Sequence, residues 1–263
     1  MESTATTFTN TTDKTEKIKE WNPQRGIAKQ RNEYLECEQL WCFFCLMFVG
    51  GFYGGYTYGI RGGVFCNAQT ANLLLLAMNL GNGHFEKVGH YLLPFIAYLS
   101  GTVLSEIFAK EIKRFRILRW DTILVGFELI TVILLGLMPA TWPDQICQVS
   151  LNFICAMQFN TFRQAKGIGM ATTFCTNHLR QCGSFLVKYV RSGNVSAGRK
   201  SLLHGGMILT FCLGVLCATL LIHVFRYQAI FGAGLVLLFI FVRLLIADRT
   251  YEKQFLDRVP SGH

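Results

Sequence analysis

Of 263 residues, 51% are apolar and only 16% are charged, and the mean hydropathy is positive. Apolar runs near membrane-spanning length recur along the chain, which excludes a soluble domain and predicts an all-α polytopic membrane protein. The formal net charge of +9 falls in short connectors between apolar segments, where topology and anionic lipid account for it. No phosphate-gripping loop or aromatic–basic platform accompanies these charges, so nucleic acid is not an expected partner.

Residues 1 to about 35 are polar, rich in Thr, Lys and Glu, and lack the apolar core of a signal peptide. They read as a disordered cytosolic tail ending at residue 37, with a surface helix near 27–39. Eight apolar segments follow, at about 40–59, 64–80, 91–109, 121–138, 146–162, 168–187, 203–224 and 228–247.

The first segment carries Gly50/Gly54 and Gly51/Gly55, overlapping small-x-x-x-small pairs whose expected role is close helix packing. It also holds Cys42 and Cys45. This Cys-x-x-Cys lies inside Trp41–Met47 with no second ligand pair, so small hydrophobes explain it better than zinc or redox chemistry.

The second segment opens in Arg61-Gly62-Gly63-Val64-Phe65-Cys66-Asn67-Ala68-Gln69-Thr70-Ala71-Asn72. The sixth opens in a similar run, Lys166-Gly167-Ile168-Gly169-Met170-Ala171-Thr172-Thr173-Phe174-Cys175-Thr176-Asn177. Each motif joins a basic residue and glycines to carboxamides and threonines, between apolar runs. Such polar clusters are costly in hydrocarbon unless satisfied internally or by water. Two of them in repeat-related places point to the two halves of one site. Asn67, Thr70 or Asn72 is expected to cap a short helix over 73–80, whose start would present unpaired N–H groups to the membrane centre.

Polar stripes reinforce this reading. Thr173, Thr176/Asn177, Arg180/Gln181, Ser184 and Lys188 recur at helical spacing in the sixth segment, and Gln148, Asn152, Asn160 and Arg163/Gln164 in the fifth. Two carboxylates also lie in or near helices. Glu106 stands beside the basic connector and is expected to pair with Lys110 or Lys113; Glu128 lies deeper and is a candidate for proton coupling. His178 is a titratable candidate or a hydrogen-bonded structural residue.

The eight segments form two sets of four, with Gly101 and Gly214 in corresponding places. Charge then selects between two topologies. If every segment crosses, five basic connector residues lie inside and nine outside, which reverses the usual bias. If the second and sixth dip in and return, eleven lie inside and only Arg61, Lys87 and Arg226 lie outside. The second arrangement gives two inverted repeats, 38–139 and 140–248, each with three crossing helices plus one re-entrant or broken helix. A cytosolic tail spans 249–263.

The first motif, preceded by Gly55-Tyr56-Thr57-Tyr58, resembles the YoaK family of bacterial multi-pass membrane proteins. Arg119-Trp120-Asp121-Thr122, Gln158–Gln164 and Thr172–Gln181 share the resemblance, which covers roughly residues 38–247. Many members have Thr-Gly-Asn where this chain has Thr70-Ala71-Asn72. The resemblance implies a bacterial inner-membrane protein with a duplicated core, in a family that is a domain of unknown function, and supplies no substrate.

The expected function is therefore a small-solute channel or secondary transporter rather than an enzyme. Candidate solute-binding residues are Asn67, Gln69, Thr70, Asn72, Gln158, Asn160, Thr172, Thr173, Thr176, Asn177 and Arg180. Arg61, Lys166, Arg180 and the helix N-termini tilt the solute toward a small anion or a polar neutral molecule. Expected partners are the bilayer, that solute and further copies of the chain; no cofactor or metal is expected. The alternative is a non-transporting scaffold or sensor whose polar motifs are structural.

Overall fold

A computed structural model describes residues 34–112, 117–258 and 260. Residues 1–33 of the expected disordered tail and the basic residues Lys113, Arg114 and Arg116 lie outside the described residues, as does most of the surface helix expected near 27–39; the last tail residues are instead ordered, with Leu35 buried and Glu36–Glu38 in a buried 3-10 turn.

Among the described residues, eight α-helices occupy the eight apolar regions. They are α1 (Leu40–Ile60), α2 (Gln69–Gly81), α3 (Val88–Ile112), α4 (Trp120–Leu137), α5 (Asp144–Thr161), α6 (Thr176–Ser192), α7 (Val195–Phe225) and α8 (Phe231–Arg249). Four stretches are long and apolar enough to cross a membrane: Leu40–Ile60, Phe85–Ala109, Trp120–Leu137 and the 55-residue run Val195–Arg249, which contains both α7 and α8. The protein is thus a helical membrane protein.

Local chemistry sets the breaks. Helix α1 stops where Gly62 and Gly63 take φ of +78° and +73°, a region open to glycine at little cost. Gly193 takes φ +64° after α6, and the Asn194 side chain then accepts from the Ala197 N–H at 3.2 Å to cap α7.

Three boundaries differ from the sequence expectation. Helix α2 begins at Gln69, inside the apolar segment at 64–80 but four residues before the short helix expected over 73–80, and α7 begins at Val195 rather than 203. The stretch expected to open the sixth segment is instead a small hairpin, β1 (Gln164–Ala165) against β2 (Ile168–Gly169), with the helix delayed to Thr176. Lys166 and Gly167, both with positive φ, form its turn.

Contacts at the two ends of the bundle fix helix directions. At the Ile60 end, Arg61 Nη1 lies 3.2 Å from Asp144 Oδ1, His90 Nε2 donates to the Gly62 carbonyl at 2.9 Å, and the Tyr56 hydroxyl donates to the Tyr227 carbonyl at 2.6 Å. At the Leu40 end, Trp120 Nε1 donates to Thr161 Oγ1 at 2.9 Å and the Arg119 N–H to Asp248 Oδ2 at 3.0 Å. Helices α1, α4 and α7 therefore run one way, and α3, α5 and α8 the other.

The same close approach occurs twice. Gly214 of α7 packs against the Phe48 backbone of α1, and Gly101 of α3 against the Phe153 backbone of α5. Pairing of α1 with α7 matches that of α5 with α3, and α2 on α3 matches α6 on α7. The large buried side chains Phe43, Phe52, Tyr53, Leu124, Leu151 and Leu237 fill the centre between these pairs.

Candidate functional site

The overlapping glycine pairs of α1 have separate duties. Gly51 and Gly55 face α7, meeting the backbones of Phe211 and Val215. Gly50 and Gly54 face the two polar motifs. The Asn67 side-chain amide donates to the Gly50 carbonyl at 2.9 Å, and a Cβ on Gly54 would stand 2.9 Å from that amide. A Cβ on Gly50 would stand 2.6 Å from the Thr172 carbonyl oxygen and 3.0 Å from Thr173 Cα. Both motifs thus touch the same mid-helix glycine.

The depth follows from helix geometry. Gly50 lies ten residues before the last residue of α1, about 15 Å along the axis. The chain leaves α1 at Ile60, descends to Gly50 by Asn67, and then forms α2. It re-emerges at α3, whose His90 is bonded to Gly62 at the Ile60 end. The second motif approaches from the other end, where the Lys166 N–H donates to the Glu38 carbonyl at 3.0 Å. It reaches Gly50 at Thr172, and α6 leads back toward the start of α7.

Between the motifs lies a cleft of about 420 Å³, lined by Asn67 and Ala68 of the first and Thr173–Thr176 of the second, with Gly54, Gly55 and Phe211 as its floor. Tyr58 and Phe65 stack at 4.4 Å beside it. The N-cap residues of α2 and α6, Ala68 and Cys175, both border this cleft, and neither helix has a side-chain cap. Two helix starts therefore direct their partial positive charge at one space. The Thr172 and Thr173 hydroxyls and Gln158 Oε1 are buried with no partner among the described residues.

The expected cap by Asn67, Thr70 or Asn72 is not formed. Asn72 lies inside the first turn of α2, fully buried, and clamps the Phe65 backbone by accepting its N–H at 3.1 Å and donating to its carbonyl at 2.6 Å. Gln69 Nε2 donates to Asn152 Oδ1 at 2.6 Å, Asn152 Nδ2 to the Gln148 carbonyl at 2.8 Å, and Gln148 Nε2 to the Arg61 carbonyl at 2.6 Å. This amide ladder ties the first motif to α5. Gln158 Nε2 similarly reaches the Leu46 carbonyl at 3.3 Å and the Thr172 carbonyl at 3.4 Å.

Other candidates stand apart from the cleft. Asn160 bonds Ser105 and Glu106 near the Leu40 end, where Arg163 also meets Glu106 at 3.1 Å. Thr70 is exposed, and Arg180 donates to Asn177 on the outer face of α6. His178 donates through Nε2 to the Ala171 carbonyl and meets His204 Nδ1 to Nδ1 at 2.9 Å, a pairing that sequence offers no signal for. Glu106, Glu128 and His178 do not converge, and no group of three metal-ligating residues exists among the described residues. A larger groove of about 800 Å³ between α3, α4 and α5, lined by residues such as Phe127, Leu134 and Phe153, is about as apolar as the cleft, and no N-cap residue borders it.

At the Leu40 end a buried ionic cluster closes the bundle. Arg119 grips Asp121 at 3.1–3.3 Å, Arg243 grips Glu36 at 2.6 Å, and the Glu36 N–H donates to Glu252 at 2.6 Å. Burial works against the Arg119 charge, but Asp121, together with Cys37 and Glu252, more than offsets it, and the guanidinium proton is held more tightly than usual. Burial also pushes Glu252 up to about 7.

No curated protein and no solved structure matches the chain. A family model described as "Protein of unknown function (DUF1275)" matches residues 42–243, from the first turn of α1 into α8 and across both motifs, and the chain belongs to that family.

Proposed function

We propose that this protein is a small-solute channel or secondary transporter of a bacterial inner membrane, not an enzyme, with the cleft on Gly50 and Gly54 as its solute site. In this reading the molecule is a pair of inverted repeats, and α2 and α6 are re-entrant helices entering from opposite faces. Both termini then lie in the cytosol, as the basic connectors require. The meeting of both motifs on Gly50, each having entered from its own end, supports that arrangement.

One observation carries the solute assignment: two uncapped helix starts border the same cleft, and Thr173, whose hydroxyl has no partner among the described residues, lines it. Helix N-termini attract anions and polar oxygen atoms, and free hydroxyls supply both donors and acceptors. Flanking apolar walls suit a small solute stripped of most of its water.

A scaffold role is favoured for one part of the site. The Arg61–Gln148–Asn152–Gln69 ladder and the Asn72 clamp are largely satisfied within the protein, so they hold the first motif rather than contact solute.

The test is osmotic swelling of proteoliposomes with a panel of urea, glycerol, formate and nitrate. Swelling by at least one solute is expected, with Thr176→Trp at the cleft abolishing it and Val190→Trp on the outer face of α6 leaving it intact. Wild-type swelling no faster than empty liposomes, or Thr176→Trp indistinguishable from wild type, overturns the proposal.

A further inference from the structure

Glu128 lies near the middle of α4 and is completely buried. Neither of its carboxylate oxygens has a partner among the described residues. Among the described residues no cation acts on it. The titratable groups its charge reaches are Tyr53 and Cys42 of α1 and Cys155 of α5. The Tyr53 hydroxyl is also buried without a partner. From α8, Phe241 packs against Gly126 two residues away, while Arg243 and Asp248 are engaged at the Leu40 end by Glu36 and Arg119. On α4 itself, Asp121 is held by Arg119.

An ionised carboxylate in such a place is prohibitively costly, whereas a carboxylic acid is tolerable. A metal ion does not resolve the problem. Hard cations take about six to eight oxygen ligands, and this cluster offers the two oxygens of Glu128 and one hydroxyl. The remaining occupant is a proton.

The cluster also communicates with the cleft. Cys66 neighbours the Cys155 thiol, acts on Tyr53 as well and immediately precedes Asn67, the residue docked on Gly50. Displacement of the first motif from α1 therefore moves Cys66 away from the group next to Glu128.

We propose that Glu128 is a proton-binding site coupled to the cleft: it takes one proton from water when the first motif is displaced, forming a neutral carboxylic acid, and returns that proton when the motif moves again. The step makes and breaks one O–H bond and needs no other reactant. This inference rests on the cleft being a solute passage, and it names the coupling ion.

Two readings of the full-length protein in liposomes test it. Dicyclohexylcarbodiimide attacks protonated carboxyls in apolar surroundings, so mass spectrometry should find the Glu128 peptide modified, with a yield that falls as pH rises. An unmodified Glu128 at every pH, or a yield that does not vary with pH, overturns the proposal. In the second, trapped pyranine should report lumenal pH change during solute entry. Glu128→Gln preserves shape and the neutral state and should lose the pH change; a pH change that Glu128→Gln retains overturns the inference. Wild-type swelling without a pH change overturns this inference and leaves the transport reading standing. No wild-type swelling at all overturns both.

Discussion

Asn67 and Gly50 are joined by a 2.9 Å hydrogen bond from side-chain amide to backbone carbonyl, and the Thr172 carbonyl presses on the same glycine. Two polar motifs about a hundred residues apart thus share one docking point, which exists because α1 has no side chain there. Gly50→Ala should cost about 1–3 kcal/mol, since its Cβ would meet backbone that cannot easily withdraw. Gly183→Ala in α6 has open space around it and should be neutral or slightly stabilising. Thermal unfolding in detergent distinguishes them; equal melting temperatures for the two variants would contradict the docking.

Asn72 and Asn177 hold corresponding places in the two motifs but have unequal work. Asn72→Ala strands the Phe65 N–H and carbonyl and should cost about 1–3 kcal/mol. Asn177→Ala loses only an exposed contact with Arg180 and should stay within about 0.5 kcal/mol of wild type. Denaturant titration of both variants checks the asymmetry.

Burial separates two ion pairs at the Leu40 end. Asp121→Ala leaves the buried Arg119 guanidinium without its nearest counter-charge, and a loss of about 3–5 kcal/mol is expected. Glu106→Gln acts on a pair that is half exposed, so the change should be under about 1 kcal/mol. Melting temperatures at low and high salt should move little for the first variant and visibly for the second.

Glu252 gives the cluster a pH dependence. Burial raises its folded-state value to about 7, above the ordinary carboxylate range, so the folded protein binds a proton that the unfolded chain has already released. Its contribution is fully favourable below the unfolded value and is lost as pH rises to about 7. Stability should therefore fall from acidic pH toward neutrality, and Glu252→Gln should flatten that slope. A slope unchanged by Glu252→Gln would assign it to another group.

Hydropathy and glycine pattern made the eight helices and their order readable, because apolar run length and helix breakers act locally. The hairpin at 164–169 was hidden because Ile168, Met170 and Ala171 read as the start of an apolar helix, while the turn chemistry sits in only two residues, Lys166 and Gly167. The role of Asn72 was misjudged for a similar reason. Its clamp on Phe65 depends on a backward loop that no periodicity encodes. The contact between Cys66 and Cys155, and the histidine pair, join residues far apart in sequence with no shared pattern.

That histidine pair has a consequence of its own. Ala171 offers an oxygen, so His178 Nε2 must bear a hydrogen, and a neutral His178 then shows a bare Nδ1 to its neighbour. His204 must supply the hydrogen between the rings, which strips its own Nε2, an atom buried with no hydrogen-bond partner among the described residues. The seam between α6 and α7 is consequently polarised in a single sense. Reversing it demands that both imidazoles exchange tautomers at once, and its open end awaits a donor from elsewhere.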